Sequence, residues 1–111
     1  MEINTLLESL DSVIAIPVIP FNKGTIDYNG HQKNVAYLMK NNYLSDGRPR
    51  VIAIGGTSLL HHLSSEDQIE LINQTGQEMK NRGVLISGIV PNPIEVAGNW
   101  IEAQSHLKSS P

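Results

Sequence analysis

The sequence predicts an α/β fold built on a parallel sheet, and three observations carry that prediction. Residues 13–19, 50–54 and 84–89 are short runs rich in Val and Ile with little polar alternation. That is the pattern of parallel strands covered on both faces. A helical pattern follows each run. The order is therefore a short leading helix and then β-α-β-α-β-α, which demands right-handed crossovers. The chain has 111 residues, enough for one domain with a core. No linker, low-complexity tract or short repeat divides it, so residues 1–111 read as a single domain.

The leading segment, MEINTLLESLDS, carries acids and no basic stretch, so it reads as a helix and not as a secretory signal. The first strand, 13–19, holds Pro17 and runs into a loop, Pro20-Phe21-Asn22-Lys23-Gly24. Asp27 is placed to cap a helix that continues to about Asn41, with His31, Val35, Leu38 and Met39 on its buried stripe. Gly30 weakens that helix by about 1 kcal/mol relative to Ala.

The second strand, 50–54, leads into Gly55-Gly56-Thr57-Ser58-Leu59-Leu60-His61-His62. Ser64, with Asp67 three residues on, resembles a capping box at the start of a helix over 64–81. Ile69, Ile72 and Met79 share one face of it, and Glu66, Glu70 and Gln77 the other. Arg82-Gly83 is expected to close it, a cation and a left-handed glycine at the C-terminus. After the third strand, 84–89, and Val90-Pro91-Asn92, a last helix runs from about Pro93 to Leu107. Trp100 on it reads as packing.

Two architectures fit this order. One is a small doubly wound sheet. The other is the first three βα units of a (β/α)₈ barrel, with parallel strands in the order 1-2-3, which needs about 250 residues in full. The chain stops at Ser109-Ser110-Pro111, directly after a helix and where another strand is expected, which favours the barrel.

Composition narrows the function. Net charge is -3 and the few basic residues are scattered, so no basic stripe marks a nucleic-acid binder. No apolar run approaches the ~18 residues of a membrane helix. There is no cysteine, which removes disulfides, thiolate metal sites and a thiol nucleophile and fits a cytoplasmic protein.

Ligands of such folds collect beyond the C-terminal ends of the strands. The Gly55-Gly56-Thr57-Ser58 turn is the most informative of the three loops there. Two glycines let the backbone bend sharply and approach a ligand. Successive amides in such a bend form an anion-binding concavity, so a carboxylate fits against Gly56, Thr57 and Ser58. A tight βα turn whose hydroxyls bond its own backbone accounts for the same residues. The loop lacks both a P-loop and a dinucleotide fingerprint, and no cofactor is expected. His61-His62 invites a metal, but adjacent histidines rarely point at one ion and no Asp, Glu or Cys stands at ligand spacing. No metal is expected. The lysines, Lys23, Lys33, Lys40, Lys80 and Lys108, lie outside the apolar strands. A Schiff-base lysine must be desolvated to be neutral, so all five read as solvated and no catalytic residue is assigned.

Four runs then carry a family resemblance over nearly the whole chain. Residues 15–27, AIPVIPFNKGTID, are similar to a strand followed by T-P-F and a D-G-x-I/L-D turn. Residues 51–57, VIAIGGT, are similar to a strand with a G-[TSG]-T-G-E loop. Leu63-Ser64-Ser65-Glu66-Asp67 matches an L-[ST]-x-E-E helix start. Residues 84–88 with Asn92 and Glu95 resemble V-I-A-G and N-x-x-E-A. Together they resemble the N-terminal part of the dihydrodipicolinate synthase / N-acetylneuraminate lyase family.

That resemblance implies a (β/α)₈ barrel, a homotetramer when complete. It implies a lyase forming a Schiff base between a strand-six lysine and a 2-oxo acid such as pyruvate or a keto sugar acid. The loop after strand two holds the substrate carboxylate, a role carried here by Thr57 with Gly56 and Ser58 beside it. The lysine, and a proton-relaying tyrosine near strand five, then lie beyond these 111 residues, and the chain alone is expected to be inactive. Gly56 replaces a hydroxyl residue, which argues against dihydrodipicolinate synthase activity and brings the loop closer to sugar-acid dehydratases. Ser58-Leu59 replace the usual G-E pair and Ile19 the usual threonine, the mark of a divergent member. The competing functional reading is a non-catalytic small-carboxylate-binding or assembly module.

Overall fold

The computed structural model describes residues 2–40, 51–55, 62–89 and 94–107. In chain order these form α1 (Ile3–Leu10), β1 (Ile14–Ala15), β2 (Phe21–Asn22), β3 (Thr25–Ile26), α2 (Tyr28–Lys40), β4 (Val51–Ile54), α3 (Ser65–Met79), β5 (Leu85–Ser87) and α4 (Ile94–Ser105). Among the described residues β1, β4 and β5 make a parallel sheet in the order β1-β4-β5. Ile14 pairs with Val51, and Ile52 sits between Ala15 and Leu85.

The sheet is shorter than the apolar runs imply. Of residues 13–19 only Ile14 and Ala15 join the ladder. Pro17 and Pro20 have no N–H to donate, and a strand cannot pair through them. The loop expected over residues 20–24 is instead the start of an antiparallel hairpin, with Phe21 opposite Ile26 and Asn22 opposite Thr25. Its two-residue turn places Lys23 at φ 53° and Gly24 at φ 81°. Positive φ at both positions matches the twist of a two-residue hairpin, and Thr25 Oγ1 donates to Asn22 O at 3.0 Å across it.

The helix ends follow side-chain chemistry. Asp27 Oδ1 accepts from Gly30 N at 2.9 Å and opens α2. A Cβ on Gly30 would run into that Asp27 carboxylate, so the glycine that weakens the helix also makes room for its cap. Ser64 Oγ accepts from Asp67 N at 3.2 Å and opens α3. The closure of α3 corrects the expectation from Arg82-Gly83. The left-handed residues are Lys80, φ 54°, and Asn81, φ 60°, so the helix stops before glycine is reached. Arg82 still serves the C-terminus, with Nε donating to Met79 O at 3.2 Å.

One face of the sheet carries the core. Ile52, Ile54 and Leu85 pack with Val35 and Met39 of α2 and with Leu71, Ile72 and Met79 of α3. The buried stripe of α3 is Gln68, Leu71, Ile72, Thr75, Gly76 and Met79, an i, i+3, i+4, i+7 series. On that same face Ser87 Oγ bonds Gln104 of α4 at 2.5 Å. The three helices after the first strand therefore line one side of the sheet. The expectation of strands covered on both faces holds only for β4. On the second face Ile14 and Ile86 are 50% and 38% exposed.

Candidate functional site

The C-terminal ends of β1, β4 and β5 share one edge because the strands are parallel. The second and third sequence-predicted loops follow the C-terminal ends of β4 and β5 in the chain. Gly56, Thr57 and Ser58, the residues expected to hold a carboxylate, lie outside the described residues, as do Leu59, Leu60, His61, Val90, Pro91 and Asn92. What is described is the frame around the central turn: Gly55 before it and residues 62–68 after it.

At the entry, Gly55 is half-buried and follows the fully buried Val51–Ile54. Among the described residues a Cβ there would meet nothing within 4 Å.

The exit is held by three interlocking bonds. Ser64 Oγ takes the Asp67 amide. Asp67 Oδ1 in turn accepts from the Tyr28 hydroxyl at 2.8 Å, which ties the first turn of α3 to the start of α2. The expected capping box is thus only half realised, since the Asp67 carboxylate is engaged across the helix pair. Burial, reinforced by the hydrogen bond to Asp67 and the charges of Asp67 and Glu70, pushes the Tyr28 phenol well above its ordinary value. The phenol keeps its proton and donates. Third, Gln68 Nε2 donates to Leu63 O at 3.0 Å. The N-terminus of α3 carries the positive end of its dipole. Glu66 and Asp67 in its first turn offset part of that potential.

A second polar group lies deeper between the same helices. His31 is fully buried, and its Nε2 stands 2.7 Å from Thr75 Oγ1. Thr75 Oγ1 donates to Leu71 O at 2.7 Å. A carbonyl can only accept, so the threonine proton is committed there and His31 Nε2 must donate. Nδ1 is left as a buried acceptor with no partner among the described residues. Burial alone pushes the His31 imidazole below its ordinary value. Sequence reasoning placed His31 on the buried stripe but missed Gln68 and Thr75. The available signal was their seven-residue spacing in line with Leu71, Ile72 and Met79.

Lys23, Lys33, Lys40 and Lys80 are exposed, and Lys108 lies outside the described residues. His62 is exposed and His61 is outside them. Among the described residues no three of His, Asp and Glu converge on a position for a metal ion. No described helix is long and apolar enough to cross a membrane.

No protein-family model matches the chain, and no curated protein does. Solved structures do. A dihydrodipicolinate synthase from Bacillus clausii superposes with a TM-score of 0.71 at 27% identity, over 88% of this chain and 33% of that one. An N-acetylneuraminate lyase from Mycoplasma synoviae gives 0.77 at 24% identity, over 92% and 34%. The chain resembles the dihydrodipicolinate synthase and N-acetylneuraminate lyase family. A dihydrodipicolinate synthase from Cyanidioschyzon merolae, solved with lysine bound, gives 0.74 at 24% identity, over 90% and 33%. The chain spans about a third of the length of each synthase or lyase it matches.

Proposed function

We propose that this chain is the opening sector of a (β/α)₈ lyase that forms a Schiff base with a 2-oxo acid, pyruvate or a keto sugar acid. Its own contribution is the carboxylate-holding turn of Gly56, Thr57 and Ser58. The observation that carries this reading is the match, over about nine-tenths of the chain, to both a synthase and a lyase of one family. The single helix layer on one side of a parallel sheet supports a barrel sector over a doubly wound sheet, which sets helices on both faces.

In this reading the turn after β4 orients the acid by its carboxylate, so that the neighbouring carbonyl carbon faces an amine supplied from elsewhere in the barrel. The exposed lysines support an outside amine. A Schiff-base lysine needs a desolvated setting, and none of the four described lysines has one. The complete protein is then a cytoplasmic homotetramer, and this chain alone is inactive. Gly56 in place of a hydroxyl residue counts against dihydrodipicolinate synthesis and brings the loop closer to sugar-acid dehydratases, while Ser58 and Leu59 mark a divergent member.

Borohydride trapping of the complete gene product with a panel of 2-oxo acids tests this. Attack of an amine on the carbonyl expels water, and hydride then reduces the iminium to a stable secondary amine. The expected result is one adduct, on a lysine outside these residues. A product that traps no member of the panel would overturn the reading.

A further inference from the structure

Asn29-Gly30 is the one Asn-Gly pair in the chain, and it sits in the first turn of α2. Asparagine is chemically labile, and this pairing carries its own reaction. The glycine nitrogen gives up its proton and attacks the asparagine Cγ. A C–N bond forms, and the side-chain nitrogen leaves as ammonia. Water then opens the five-membered imide at one of its two C–N bonds. One opening gives aspartate, the other an isoaspartyl link whose main chain runs through the side chain. Glycine favours the attack because it has no Cβ to crowd its nitrogen or restrict its backbone. Asn29 is exposed, so water reaches it. The nucleophile, however, is held. Gly30 N donates to Asp27 Oδ1 at 2.9 Å, and His31 N donates to Asp27 O at 2.9 Å. A carboxylate is a strong acceptor, and it binds the proton that Gly30 N must lose. Ring closure also requires Asn29 to leave helical backbone angles, which the same cap maintains. A Cβ on residue 30 would run into the Asp27 carboxylate. The glycine that admits the cap is therefore the glycine that makes Asn29 reactive.

We propose that Asn29 is a site of spontaneous deamidation gated by Asp27: conversion is held back while the Asp27 carboxylate binds the Gly30 amide and is released when that bond opens. The two products act in opposite directions on α2. Aspartate at position 29 places a negative charge in a first turn that has none, which favours the positive end of the helix dipole. Isoaspartate adds one carbon to the main chain between Tyr28 and Gly30. That puts Asp27 out of step with the two amides it caps, at the end of α2 that Tyr28 ties to Asp67 of α3.

The test incubates the 111-residue chain at mildly alkaline pH and follows Asn29 by peptide mass spectrometry, as ammonia is lost and water gained. It compares the natural chain, folded and in urea, with Asp27→Ala, Asp27→Ser and Ser64→Ala. Alanine removes the cap, serine restores an acceptor at the cap position, and Ser64→Ala weakens α3 without touching Asp27. The unfolded natural chain is expected to convert fastest. Asp27→Ala is expected to convert at least about fivefold faster than the folded natural chain, the effect of one net hydrogen bond. Asp27→Ser should return toward the natural rate, and Ser64→Ala should match it. Asn34, in the same helix but followed by Val35, should stay unconverted throughout. Amide hydrogen exchange gives a second reading that needs no variant. The factor by which the fold slows exchange at Gly30 should match, to within an order of magnitude, the factor by which it slows conversion of Asn29. An Asp27→Ala rate equal to the natural one, an equal rise in Ser64→Ala, or a mismatch of the two protection factors would overturn the gate. A chain that keeps Asn29 intact even in urea would overturn the site itself.

Discussion

On the helix side of the sheet, Ile52, Ile54 and Leu85 sit among Val35, Met39, Leu71 and Ile72, all at or below 7% exposure. On the other side the central strand's Val51 and Ala53 are also buried, but Ile14 and Ile86 on the flanking strands are 50% and 38% exposed. The two sides are equally apolar in sequence. What separates them is that α2, α3 and α4 all cross over one face. The same contrast recurs in the helices: α3 buries six residues, whereas α1 buries none and leaves Ile3 and Leu7 largely exposed. Strand composition therefore reports the environment a strand is made for, and not which of its two covers the described chain provides. Exposed apolar patches of this kind mark surfaces that association or further chain covers. Among the described residues β1 and β5 are the edge strands of the sheet, and strand edges template further pairing.

The contrast can be broken most sharply in the core. Leu71→Ala empties a site with no exposure and is expected to cost about 3 kcal/mol, read as a lower urea midpoint. A loss below about 1 kcal/mol would mean that the helix side is not the packed one.

Acid should act next, through His31. Its imidazole lies below its ordinary value in the fold, so the unfolded chain takes up the proton first. Stability is then full above the ordinary histidine value of about 6.5 and is lost as pH falls below it toward the depressed folded value. Thermal melts between pH 7 and 5 should show this decline, and His31→Leu should flatten it.

Removing the cap with Ser64→Ala should cost about 1 kcal/mol. Tyr28→Phe, which takes the donor from Asp67, should cost a similar ~1 kcal/mol. The Tyr28 phenol is raised in the fold, so its contribution is present below the ordinary tyrosine value of about 10 and is lost as pH rises beyond it. Tyr28→Phe should therefore flatten the alkaline limb of the stability profile.

The smallest effect is expected at the exposed flank of the second face, where Ile86 lies. Ile86→Ser should change stability by less than about 0.5 kcal/mol while reducing self-association in sedimentation velocity. A cost matching Leu71→Ala would show that Ile86 is covered as Val51 and Ala53 are.

Much of this fold was legible in the sequence, and the misses have physical reasons. Among the described residues each parallel strand falls within one of the Val- and Ile-rich runs, because two-sided apolar composition is rare elsewhere. Their lengths were overread, since Pro17 sits inside an apolar run and ends its pairing. The hairpin was missed because Lys23 takes a left-handed conformation that glycine or asparagine usually signals. Gly83 drew the end of α3 too far for the converse reason: the best left-handed residue was not the one used. Gln68, Thr75 and Gln104 were not foreseen in the core because polar residues are mostly exposed. For the site, sequence singled out Gly56, Thr57 and Ser58. The bonds framing them, from Gln68 to Leu63 and from Tyr28 to Asp67, arise from contacts that no local pattern encodes.

The most direct test of the account is a ¹⁵N-resolved NMR titration of the 111-residue chain with pyruvate. Saturable amide shifts concentrated between Gly55 and Ser58, with no accompanying change at Lys23, are the predicted result. Shifts centred on the hairpin or the lysines, or none at millimolar pyruvate, would contradict the claim that the turn after β4 holds the acid.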